Sequence, residues 1–192
     1  EYMKEQGVQA IGSFIDADEV IKDKSMLAAD MIKKDFSRDI KIKFICQTLK
    51  GVISPEAKKW FDYCSEFVDI IGGLPAKDAG MEDVHLDILM ETASKMGKPV
   101  HVHVDQFNTA TEKETELLIK KTVEHNMQGR VTAIHCISLS AHPIEYRRKI
   151  YQQMKNENIH LITCPTAWID ARRSEELAPT HNSIAPVEEL CE

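Results

Sequence analysis

The stretch that decides the fold is Pro99-Val100-His101-Val102-His103-Val104-Asp105-Gln106. Its alternation has period two, and successive side chains of a β-strand point to opposite faces. Val100, Val102 and Val104 are therefore expected on one face, with His101, His103 and Asp105 on the other. A buried strand does not stack three ionisable groups on one side unless each finds a partner or loses its charge. A metal site or a polar pocket at the strand's end satisfies that face; a surface strand with a wet outer face is the plainer alternative.

Outward from this strand, helical and extended patterns alternate. Upstream, Met81 to Met96 is an amphipathic helix ended by Gly97, and Val68 to Ile71 is a short apolar strand closed by Gly72-Gly73. Ser54 suits an N-cap and Pro55 a first helical position, for a helix running to about Phe67. Ile40 to Cys46 reads as a strand, and Asp16 to Phe36 as a helix carrying Val20, Ile21, Met26, Leu27, Met31 and Ile32. Val8 to Ile15 is a strand, after a helix end at Glu1 to Gln6 capped by Gly7. Downstream, Thr111 to Asn126 is a helix in which Thr111 and Glu114 can form a capping box. Arg130 to His135 is strand, Pro143 to Asn156 helix, Ile159 to Cys164 strand, and Ser183 to Leu190 starts one more helix. Strands recur about every thirty residues with helices between them, which indicates βαβ units and a parallel sheet. The unusual residues Gln47, Gln106, His135 and Cys164-Pro165 follow strand ends, where α/β proteins place their ligands.

Composition narrows the function classes. The 192 residues carry a formal net charge of -7, which argues against nucleic acid or an anionic membrane as partner. No apolar run approaches the roughly 20 residues of a membrane span, and the opening residues show no signal-peptide pattern. Five scattered cysteines without CxxC spacing argue against a disulfide framework or a structural zinc site, so a cytoplasmic location is expected. The chain is one domain, 1–192. It starts at Glu1 and stops within a helical pattern, so an internal segment is expected.

His103 and His135 stand at equivalent ends of neighbouring strands and can converge on one point; this pair is the main functional signal. The surface reading is preferred for His85, His125, His142, His160 and His181. No GxSxG elbow, Walker loop or GxGxxG is present. Cys136 beside His135 is no ready Cys/His pair, since adjacent strand residues face opposite ways.

With those residues in view, the chain resembles the amidohydrolase superfamily in its cytosine deaminase-like branch. The resemblance rests on Gly7 to Asp16, Phe44-Ile45-Cys46-Gln47, Val102 to Gln106, Gly129 to His135 and Cys164-Pro165-Thr166-Ala167. It implies an α/β fold, an incomplete (β/α)8 TIM barrel holding parallel strands two to seven with intervening helices and lacking strands one and eight. A complete barrel takes about 250 residues. It also implies one divalent metal, zinc or iron, that activates a water for hydrolysis of a C–N bond in a heterocyclic amine or small amide. Carried over, His103 is the metal ligand, His135 orients or polarises the attacking water, and Gln47 hydrogen-bonds the substrate ring. No carbamylated lysine follows Val68-Asp69-Ile70-Ile71, as expected of a single-metal branch. Of four expected ligands the chain supplies one, so the segment alone is expected to retain no metal and to be inactive. Gln106 stands where cytosine deaminase has its proton-shuttling glutamate, and an amide has no titratable proton near neutral pH. Phe14 stands where that branch has a histidine. Gln106 thus supports the alternative of a catalytically altered barrel that binds a small molecule, and a complete flavodoxin-like sheet is the third reading. The partners expected are a heterocyclic small molecule and further copies of the chain, as a homo-oligomer.

Overall fold

A computed structural model describes residues 2–165 and 184–191. Six strands follow one another: β1 (Ala10–Asp16), β2 (Lys41–Gln47), β3 (Ile71–Gly73), β4 (Val100–Val104), β5 (Val131–His135) and β6 (His160–Ile162). Between and around them lie α1 (Tyr2–Glu5), α2 (Lys24–Asp35), α3 (Pro55–Phe67), α4 (Glu82–Met96), α5 (Glu114–Glu124), α6 (Ile144–Asn156) and α7 (Val187–Leu190). Every strand runs parallel to its neighbour in sequence: β1 with β2, then β3, β4, β5 and β6 in order. A single bridge between Ile45 and Ile70 links the two groups.

This wall is curled. Strands lie about 4.8 Å apart, so β1 and β4 would be roughly 14 Å apart in a flat sheet. Yet the Phe14 ring of β1 and the His103 ring of β4 have centroids 4.6 Å apart. Sequential order and inward contact together give a partial TIM-barrel wall and exclude the flavodoxin-like sheet, whose strand order reverses. On the outer face, Val100, Val102 and Val104 are buried against a layer that includes Leu86, Leu89 and Met90 of α4 and Leu118 of α5.

Local signals hold where they act over a few residues. Ser54 accepts a hydrogen bond from Ala57 N, with Pro55 at the first position of α3. Gly97 ends α4 in the left-handed region, at φ 67°. Four expectations are corrected. The helix expected over Asp16 to Phe36 begins only at Lys24. Asp18 Oδ1 accepts from Val20 N and Ile21 N, folding the chain into a turn, and Val20, Leu27, Met31 and Ile32 stay exposed while Met26 and Ala29 face the wall. Gly72-Gly73 does not close a strand but lies within β3. A Cβ on Gly72 would stand 1.8 Å from the Cys46 carbonyl oxygen, so β2 and β3 approach here only because glycine has no side chain. Thr111 and Glu114 form no capping box: Thr111 Oγ1 bonds Thr109 Oγ1, and α5 starts at Glu114 itself. Last, β6 spans only His160–Ile162, so Cys164 lies in the loop beyond it.

No helix among the described residues is long and apolar enough to cross a membrane. Thr166, Ala167, His181 and Ser183, which the sequence places in a strand end, a surface loop and a helix start, lie outside the described residues.

Candidate active site

The site is built at the carboxyl ends of the strands. In β4 the period-two pattern turns His103 inward, where its ring lies between Phe14 and His135. In regular β5 geometry His135 would point outward with Val104, its register partner. Instead His135 and Cys136 have φ of 79° and 50°, and this left-handed exit rotates the His135 ring toward the interior. Backbone held in so sparse a region is a feature of functional sites. The result is a hydrogen bond of 3.0 Å between His103 Nδ1 and His135 Nε2. Cys136 turns away and is buried, with Thr115 Oγ1 donating to its Sγ, so it forms no pair with His135.

Proton positions follow from what else each ring touches. His103 Nε2 is buried and has no hydrogen-bond partner. A proton there would be an orphaned donor, a rarer and costlier fault than an orphaned lone pair. The tautomer assigned to His103 therefore carries its proton on Nδ1, donates it to His135 Nε2, and leaves the Nε2 lone pair free to bind. Burial, followed by repulsion from His135 and His101, lowers the His103 pKa to about 4. Burial alone lowers His135 to about 4, so both imidazoles are neutral at pH 7.

Asp105 leaves the face on which the sequence puts it. Its φ is 51°, and its carboxylate accepts from Glu114 N and Thr115 N while Asp105 N donates to Glu114 Oε2. The first turn of α5 is thus capped from nine residues away, which is why the local Thr111 box is not used. Gln106 lies half-buried in the loop directly beyond, with no hydrogen bond to either histidine. Gln47 ends β2; its Oε1 is buried without a partner. Beside it in register is Asp16, the last residue of β1, whose Oδ1 is also buried without a partner. Burial and then the Asp18 carboxylate raise the Asp16 pKa above its ordinary value. In the sequence Asp16 has no role of its own, because it stands at the head of the helical pattern running to Phe36.

Two histidines placed on the surface are in fact buried. His85 bridges Asp78 Oδ2 and Leu74 N, tying the segments after β2 and β3 to α4 because Asp78 also accepts from Val52 N. His142 Nε2 bonds the Glu112 carbonyl, and its ring stacks on Tyr146 at 4.2 Å. His160 is exposed, and His125 is half-exposed against Asp87.

A divalent ion would find one fitting ligand here, His103 Nε2. Among the described residues, no three His, Cys, Asp or Glu side chains stand together to hold a metal.

With this geometry in view, comparison with other proteins places the chain. No family model matches it. An uncharacterized protein of Haemophilus influenzae is 48% identical over 195 residues, covering 99% of this chain and 70% of that protein. The chain belongs to that protein's family. Its fold is that of the cytosine deaminase-like amidohydrolases. The 5-methylcytosine deaminase of Klebsiella pneumoniae superposes with a TM-score of 0.87 when liganded with 5-fluorocytosine, at 22% identity over 98% of this chain. Its complex with phosphonocytosine gives 0.88 at 23% identity. N-isopropylammelide isopropylaminohydrolase of Burkholderia multivorans gives 0.76 at 18% identity over 83% of this chain. The chain spans just under half the length of these amidohydrolases, 46%, 47% and 42% in that order.

Proposed function

We propose that the protein to which this chain belongs hydrolyses an exocyclic C–N bond of an amino-substituted nitrogen heterocycle. The observation that carries the reading is the inward histidine pair at the ends of β4 and β5, with one imidazole lone pair buried and unused. Structural neighbours named for cytosine and ammelide chemistry support the general kind of reaction. His103 would hold one divalent ion, zinc or iron, together with ligands beyond the described residues; such an ion supplies hydroxide near neutral pH. His135, neutral at pH 7 and accepting from His103 at Nε2, would orient and polarise the attacking water through its Nδ1–H, and its bond to His103 fixes the tautomer of the ligand ring. Gln47 would hydrogen-bond the substrate ring. Gln106 cannot move a proton, and that amide favours a second reading, a barrel that binds such a heterocycle without turning it over.

The test is ammonia or amine release from aminopyrimidines and aminotriazines by the full-length protein, with metal content measured in parallel. His103→Ala is expected to lose metal and turnover. His135→Ala is expected to keep the metal and lose turnover by about 10²–10⁴-fold. Full metal and activity in both variants would overturn these roles; tight binding without turnover in the native protein would establish the second reading. The partner we propose for the chain itself is a second copy. Among the described residues β1 and β6 each pair on one side only, and open strand edges recruit strands. Light scattering is expected to give more than the monomer mass; a monodisperse monomer at micromolar concentration would contradict it.

A further inference from the structure

Asp16 and Gln47 are register partners at the last position of two adjacent parallel strands. Asp16 shares the inward face of Phe14, two residues earlier, and Gln47 shares that of Ile45, which lies under Gly12. Their side chains therefore stand side by side at the mouth of the wall. Each presents an oxygen, Asp16 Oδ1 and Gln47 Oε1, that is buried and has no hydrogen-bond partner. Buried polar atoms are nearly always satisfied, and each exception asks for an explanation. Two adjacent exceptions of the same sign ask for one. Structure does not consume these atoms: the Asp16 backbone is fixed separately, by Ser25 Oγ donating to its carbonyl.

We infer that Asp16, acting with Gln47, is a substrate-binding and specificity-determining residue, and that the pair accepts two N–H donors from one edge of the ligand. The ligand class is thereby narrowed to heterocycles whose edge is rich in N–H, such as diamino-substituted or amidine-like rings, as opposed to rings that offer acceptors there. A carboxylate facing an amidine-like edge gains a charge-assisted bond, which an amide in its place would not make. A ring offering carbonyl or ether oxygens would leave both buried acceptors unpaired and facing like dipoles, and a site built to hydrogen-bond a group strongly rejects analogues lacking it. This inference rests on the proposed heterocycle reading for its location, but it concerns recognition and not turnover.

The experiment is calorimetric titration of the 192-residue chain with two probes that share a ring, 2,4-diamino-1,3,5-triazine and 2,4-dimethoxy-1,3,5-triazine. The native chain is expected to bind the diamino probe at least about tenfold tighter. Asp16→Ala should remove that preference, and Asp16→Asn, which keeps the shape and loses the charge, should retain part of it. Thermal melts check that both variants fold. If they do not, the ¹³C-carboxyl resonance of Asp16 in the native chain should shift with the diamino probe and not with the dimethoxy one. Equal affinity for the two probes, no binding of either, or an unchanged preference in folded Asp16 variants would overturn the inference. Ammonia release by the full-length protein reads the other claim separately. A preference that depends on Asp16 without turnover leaves this inference standing and removes the hydrolase. Turnover with an indifferent Asp16 does the reverse.

Discussion

At the scale of single residues, the site depends on backbone conformations that few side chains adopt. His135 at φ 79° turns inward to meet His103, and Asp105 at φ 51° turns away to cap α5. The inward turn carries a cost that depends on pH. His103 and His135 titrate near 4 in the folded chain, against an ordinary 6.5, and burial also lowers His85 and His101. Below pH 6.5 the unfolded chain therefore binds protons that the folded one refuses. The stability due to these groups is fully present above 6.5 and is lost as pH falls toward 4. Unfolding free energies from urea titration of chelator-treated protein should fall between pH 7.5 and 5, by on the order of 1 kcal/mol for each inward histidine. His135→Gln should flatten that dependence, and a midpoint that rises on acidification would contradict the burial of the pair.

Elements were legible in the sequence where the signal is short in range and obscure where it is long. Ser54-Pro55 and Gly97 mark helix ends within one turn, and the structure uses them there. The cap of α5 comes from Asp105 across a nine-residue loop, so no local pattern could announce it. The helix before β2 has its most apolar positions facing outward, Leu27 and Met31 being 59% and 65% exposed, so periodicity alone misjudged which side packs. That the two histidines stand at neighbouring strand ends was legible from strand spacing, but the inward turn of His135 depends on its left-handed backbone, which no pattern announces. The orphaned oxygen of Asp16 was not legible either, because burial at a strand end depends on neighbours far away in sequence. The glycines of β3 stand between these cases, read as a turn while serving close approach. Gly72→Ala drives a methyl onto the Cys46 backbone and should cost about 3 kcal/mol or more in urea unfolding. Gly73→Ala meets chiefly the flexible end of Leu89 and should cost less. Equal, near-zero costs would mean that β2 and β3 are not so close.

At the scale of the whole molecule, curvature turns a list of strand ends into a site. The six strands run in sequence order, and only because the wall curls does the end of β1 face the end of β4. That curl sets Phe14 on His103, and it places Asp16 and Gln47 on the same inward side as the histidine pair. A flat sheet of the same order would leave His103 solvated, with no inward mouth at which a heterocycle could be read. The most direct test is nuclear Overhauser contact between the Phe14 and His103 rings in isotope-labelled, chelator-treated protein. A strong cross-peak is predicted, as for rings whose centroids are 4.6 Å apart. Absence of that cross-peak in a folded chain, with both rings assigned, would contradict the curled wall and the site built on it.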